Sequence, residues 1–125
     1  MGRNFRSIKA WQLADDLAVA VYQVTADFPA EEKYGLISQM RRAGVSVPAN
    51  IVEGATRQSH KEYLQFLYVA KGSLAELEYY LHISHRLGLL DEAEHQRLVE
   101  LQQHAGRTLH GLLQSVRNDN LSLVS

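Results

Sequence analysis

Apolar residues recur at intervals of three and four along nearly the whole chain, and β-branched alternation is nowhere sustained. That period builds amphipathic helices and does not suit strands. Four stretches carry it. The first runs from about residue 8 to 26, with Ala10, Leu13, Ala14, Leu17, Val21 and Val24 on one face and Asp27 and Pro29 ending it. The second runs from about 31 to 54, with Glu31 and Glu32 at the positive end of the helix dipole and Leu36, Met40, Ala43, Val47 and Ile51 as its core stripe. Pro48 interrupts that stripe and predicts a kink or break between Gly44 and Pro48. The third, about 59 to 87, opens on the Ser59/Glu62 capping box, carries Tyr63, Leu67, Ala70, Leu74, Leu77 and Leu81, and stops at Gly88. The fourth, about 91 to 117, opens on Asp91 and Glu94 and carries Leu98, Leu101, Ala105, Leu109, Leu112 and Val116. Residues 118–125 read as a frayed tail.

Four helices with short connections predict an all-α, antiparallel up-down-up-down bundle. At 125 residues the chain makes one domain, 1–125, and 46% hydrophobic with 22% charged residues suits an ordinary globular core. Cysteine is absent, which excludes disulfides, Cys-based zinc sites, thiol nucleophiles and iron–sulfur clusters. No apolar run is long enough to span a membrane, and no apolar leader core opens the chain, so a cytosolic protein is expected.

The faces left over after packing the core are uneven. The far side of the fourth helix is polar, with Glu94, Gln103 and Arg107. The second helix carries Val45, Pro48 and Val52 opposite its core stripe, and the third carries Leu64, Tyr68 and Tyr79 on one side and Phe66, Val69 and Tyr80 on the other. One small bundle cannot bury two such helices on every side, so this surplus predicts self-association. Trp11 and Tyr22 share a face of the first helix; Trp11 suits either an interface or a plug at the end of the bundle.

A polar ladder flanks the core. Gln39, Arg42, Ser46, Asn50 and Glu53 line one face of the second helix, and Glu62, Phe66, Val69, Ser73 and Glu76 a comparable face of the third. Arg42 is placed to pair with Glu76 or Glu53. The favoured reading is a structural or interface network; the alternative is a ligand pocket with a catalytic carboxylate. Six histidines raise the question of a metal, and Glu92-x-x-His95 matches one unit of a di-iron bundle, but no second unit exists. No Walker loop, dinucleotide fingerprint, His-Glu-x-x-His or Gly-x-Ser-x-Gly motif is present. No metal or cofactor is expected. The net charge of −1 argues against a uniformly basic coat, yet Arg3, Arg6 and Lys9, then Arg41, and then Arg57 and Lys61, form local clusters that suit phosphate contacts.

Tyr34 to Leu81 carries Gly35-Leu36, Gln39, Arg41-Arg42-Ala43, Ser46, Asn50-Ile51, Glu53-Gly54, Arg57, Ser59, Glu62, Phe66-Leu67, Ala70, Gly72-Ser73 and Glu76-Leu77-Glu78. With Trp11-Gln12 and Phe28-Pro29, this order resembles the 23S rRNA-intervening-sequence proteins, over about Phe5 to Leu113. The resemblance implies a small bacterial four-helix bundle assembled as a ring of five identical subunits. A related group, the accessory variability proteins of diversity-generating retroelements, is similar in fold and ring shape and binds nucleic acid through a strongly basic surface. No catalytic residues are implied. The small residues Ala43, Gly44 and Gly72-Ser73 are read as points of close helix approach.

The expectation is a non-enzymatic homo-oligomeric scaffold, with RNA, DNA or a nucleoprotein as candidate partner at Arg3, Arg6, Lys9, Arg41, Arg57 and Lys61. A small-molecule or enzymatic site in the ladder of Gln39, Arg42, Ser46, Asn50, Glu53 and Glu76 is the first alternative. A protein-interaction module using Trp11, Tyr22, Val45, Val52, Tyr68 and Tyr79 is the second.

Overall fold

The computed structural model describes the backbone of residues 3–124 and the side chains of residues 3–120. Among the described residues the architecture is all-helical, with four long helices and no strand: α1 (Lys9–Thr25), α2 (Ser38–Ala55), α3 (His60–Arg86) and α4 (Glu92–Val124). A short 3-10 turn, Phe5–Ser7, precedes α1.

Each helix packs against its sequence neighbours, and α4 closes the arrangement against α1. The partners on α2 rise in number as those on α3 fall: Arg42 meets Glu76, Ser46 meets Ser73, and Gly54 lies against Phe66 and Tyr63. This antiparallel four-helix arrangement encloses one core. Leu17, Val21, Met40, Val47, Ile51, Leu67, Leu77, Leu81, Leu98 and Leu109 are buried at its centre. Each such side chain contributes roughly 1.5–3 kcal/mol by leaving water.

The connections are short and locally encoded. Ser59 caps α3 by accepting from the Glu62 amide at 3.3 Å. Gly88 ends α3 at φ +76°, a left-handed conformation that a side chain would strain. Asp91 caps α4 by accepting from the Glu94 amide at 2.8 Å.

Three expectations need correction. The second helix does not begin at residue 31. The chain forms a 3-10 turn over Ala30–Glu32 and a single π turn over Lys33–Ile37, with Gly35 at non-helical angles, before α2 starts at Ser38. The irregularity expected at Pro48 therefore sits at Gly35 instead. Helix α2 runs unbroken through Pro48, because Val47 and Ile51 beside it are 1% and 0% exposed and their burial offsets one missing backbone bond. The third concerns the C-terminus: α4 continues to Val124, through the stretch read as a frayed tail. Asn118, Asp119 and Asn120 each cost up to about 0.7 kcal/mol of helix propensity relative to Ala, and the helix continues through them.

This topology defines two ends. The proximal end holds the start of α1, the end of α2 and the start of α3. The distal end holds the end of α1, the start of α2, the end of α3 and the start of α4.

Candidate functional site

Helical spacing puts Gln39, Arg42, Ser46 and Asn50 along the side of α2 that meets Ser73, Glu76 and Tyr80 of α3. Arg42 donates to Gln39 Oε1 from Nε at 3.1 Å and from Nη2 at 2.8 Å. The same Nη2 pairs with Glu76 Oε2. Tyr80 donates its hydroxyl to that oxygen at 2.6 Å. The Ser46 and Ser73 hydroxyls share a hydrogen bond of 2.8 Å, and Asn50 Nδ2 donates to the Ser46 carbonyl at 2.8 Å and hydroxyl at 3.0 Å.

The bond from Tyr80 holds the Glu76 carboxyl below the ordinary glutamate range, and the Arg42 guanidinium adds to it against the opposing effect of burial. The same bond raises the Tyr80 hydroxyl, and burial raises it further. Between α2 and α3 this makes a seam whose members satisfy one another. Glu53 stands apart from it and accepts from Arg57 Nη2 at 3.3 Å, one turn along. Glu62 donates its backbone amide to the Ser59 cap and its side chain is exposed.

The basic candidates fall into two groups. At the proximal end Arg3 Nη1 donates to the carbonyls of Ala55 at 3.3 Å and Arg57 at 2.7 Å, at the C-terminus of α2. Its guanidinium lies over the Tyr63 ring, 4.3 Å from the centroid. Burial raises the Tyr63 hydroxyl and the charge of Arg3 opposes that shift. Arg57 stacks over Phe66 at 4.7 Å, and its Nε is enclosed without an acceptor among the described residues. Arg6 sits over Phe5 at 4.7 Å. Arg6, Lys9 and Lys61 are exposed and in no ion pair among the described residues. The proximal end also carries Arg117.

Arg41 is at the other end. Its Nε donates to Thr25 Oγ1 at 2.9 Å and its Nη2 to the Tyr22 carbonyl at 3.3 Å, with the guanidinium 4.5 Å from the Tyr22 centroid. A cation on the last carbonyls of a helix answers the negative end of the macrodipole. Arg41 is thus a cap for α1, as Arg3 is for α2, and it does not join the proximal cations. The distal end is richer in acid, with Asp27, Glu31, Glu32, Asp91, Glu92 and Glu94.

Two groups of apolar side chains stand exposed together among the described residues. Asp15, Ala18, Val19, Tyr22, Gln23, Val45 and Pro48 line a groove of about 430 Å³ between α1 and α2. Val45 is 42% exposed, and Val52, farther along the same face, is half-buried. On the outer face of α3, Tyr68, Val69 and Tyr79 are exposed, Tyr79 to 59%. Trp11 is half-buried and packs edge-on against Phe5 with centroids 5.0 Å apart, beneath the N-terminal turn.

Sequence reasoning missed Tyr80 as the third member of the Arg42–Glu76 cluster, although Glu76 and Tyr80 are four apart on one helix and must meet. It missed Val19 in the groove, and Thr25 as partner of Arg41. The close approaches are partly where it put them, since Ser73 bonds to Ser46 and a Cβ on Gly44 would lie 3.6 Å from Val21 Cβ, but Gly72 makes none. A Cβ on Gly72 would meet nothing within 4 Å, whereas one on Gly54 would lie 2.9 Å from both Phe66 Cβ and Tyr63 Cδ1.

The family model described as 23S rRNA-intervening sequence protein matches residues 6–111. The chain belongs to this family. A solved structure shares the fold: a protein of unknown function from the S23 ribosomal protein family of Bacteroides thetaiotaomicron. It is 21% identical, covers 84% of this chain and 95% of its own, and superposes with a TM-score of 0.78, a likeness of fold. None of the curated proteins matches the chain. No helix among the described residues is long and apolar enough to cross a membrane.

Proposed function

We propose that the protein is a non-enzymatic scaffold that assembles with copies of itself into a closed ring, five subunits being the number the family resemblance implies. One observation carries this reading. The subunit leaves apolar surface on two different sides, a groove between α1 and α2 and the Tyr68, Val69 and Tyr79 face of α3. A heterologous ring needs two such unlike surfaces, because each subunit offers one to the neighbour ahead and the other to the neighbour behind. The polar seam of Gln39, Arg42, Ser46, Asn50 and Glu76 spends its donors and acceptors internally, which favours a structural role over a catalytic one. Val45→Glu places a charge in the groove and tests the reading. Light scattering should show the variant as single subunits where the wild type is an oligomer, and circular dichroism should show its helical content kept. An unchanged mass would remove the groove from the assembly.

A second reading, that the scaffold binds nucleic acid, is favoured by the gathering of exposed Arg6, Lys9 and Lys61 with part-exposed Arg57 at one end, beside the Arg3 cap, while the other end is richer in acid. In a ring with the helices along its axis, every subunit would present this end on the same side, so weak phosphate contacts would add. The cytosol is the compartment this reading assumes.

A further inference from the structure

We propose a divalent transition-metal site, of the zinc type, at the distal end of the bundle, formed by His85, Glu92 and His95. The inference does not rest on how copies assemble or on nucleic-acid binding.

The three side chains come from two helices joined by a tight turn. His85 lies in the last turn of α3; Glu92 and His95, three apart, share a face of the first turn of α4. Their potential ligand atoms all lie within 4.8 Å of one another. His85 Nε2 and Glu92 Oε2 are already 3.0 Å apart. A tetrahedral ion with ligands at about 2.0–2.1 Å needs neighbouring ligand atoms about 3.3 Å apart. The His85 and His95 rings are stacked 4.0 Å apart at 6°. Both rings are half-exposed, and holding an ion requires them to turn about their side-chain bonds out of this stack.

The backbone beneath is fixed. Leu87 N donates to the Ile83 carbonyl at 2.9 Å, Gly88 N to His85 at 3.0 Å and Leu89 N to Ser84 at 2.9 Å. Leu90 is buried in the core. A site carried on such elements loses little conformational freedom when an ion binds. Of the carboxylates that open α4, Asp91 is used in capping and Glu94 reaches back to the Asp91 amide, which leaves Glu92 for the ion. Two imidazoles and one carboxylate suit zinc better than magnesium or calcium, which prefer oxygen donors. Three protein ligands leave a position for water or an added ligand. His95 also borders a cleft of about 380 Å³ with Glu78, Tyr79 and His82, from which that position is reached.

The test is titration of the chelator-stripped full chain with Zn²⁺ by calorimetry, with thermal melts alongside. The site predicts one zinc per chain and a raised melting temperature, because the ion ties α3 to α4. His85→Gln and His95→Gln should each weaken binding at least tenfold, with zinc-free melting close to wild type. His104→Gln, on the exposed side of α4, should leave binding unchanged. Absence of binding at micromolar zinc, or binding that survives in the double variant His85→Gln/His95→Gln, overturns the proposal.

Discussion

Arg41 donates from Nε to Thr25 Oγ1 at 2.9 Å, while that hydroxyl donates in turn to the Val21 carbonyl at 2.7 Å. The start of α2 is thereby fastened to the end of α1 by a cation that a linear reading assigns to phosphate. Arg3 does the same for α2 at the opposite end of the bundle. These paired caps separate the structural arginines from the exposed cations, and they change which variants should affect binding.

Arg41→Ala should destabilise the subunit by about 1 kcal/mol, since it removes charge-assisted bonds at a partly exposed helix terminus. Its affinity for nucleic acid should stay near wild type. Urea denaturation and a binding isotherm on the same preparation check both halves. A large loss of binding with no loss of stability would restore Arg41 to the phosphate-contacting set.

The glycines offer a paired comparison. Gly54→Ala forces a Cβ to within 2.9 Å of Phe66 and Tyr63, so a loss of roughly 1–3 kcal/mol is expected from overpacking. Gly72→Ala meets nothing inside the subunit and should raise helix stability by up to about 1 kcal/mol. Denaturation midpoints of the two variants should move in opposite directions.

How far the sequence spoke for itself can be read from particular residues. The spacing of Leu67, Leu74, Leu77 and Leu81 located α3 because burial on one face dictates a period of 3.6. The Ser59 and Asp91 caps located two helix starts because their side-chain oxygens accept orphan amides. The segment from Ala30 to Ile37 was not legible. Its acidic residues after a proline imitate a helix start, while the π turn at Gly35 depends on backbone freedom that no side-chain pattern reports. The partners of Arg41 were equally hidden, because which helix terminus lies opposite a given arginine is settled by packing across sixteen residues of sequence separation. The cluster of His85, Glu92 and His95 was seen only in parts, since the turn that joins it carries no metal-binding spacing of its own.

The seam has a pH signature. Glu76 is held below its ordinary range, first by the Tyr80 hydroxyl and then by Arg42, so its charged form stabilises the fold. That contribution is complete above the unfolded glutamate value near 4.3 and is lost as pH falls through the lower folded value. Tyr80 is raised, so its contribution is complete below the unfolded tyrosine value near 10 and is lost as pH rises through the higher folded value. Glu76→Gln should flatten the acid limb of a melting-temperature profile below pH 4.3 relative to wild type. Parallel acid limbs in the two proteins would show that the charge of Glu76 contributes nothing to stability.

Nucleic-acid binding, if it uses the proximal end, should follow its exposed cations. Arg6→Ala and Lys61→Ala should each weaken binding across sequences and reduce the slope of log affinity against log salt by about 1 for each phosphate no longer neutralised. Arg42→Ala, by contrast, should act on the seam and on assembly, and should weaken binding only as far as loss of the ring removes the added contacts of neighbouring subunits. A titration of labelled duplex DNA and structured RNA over salt separates these outcomes.

The central claim is that the subunit does not stand alone. The most direct measurement is the mass of the purified wild-type chain by light scattering at micromolar concentration. A ring of five predicts five times the 14.1 kDa of one chain, held constant on dilution. A stable species of 14.1 kDa would contradict the account and leave the α1–α2 groove and the α3 tyrosines as surface without a second copy to cover them.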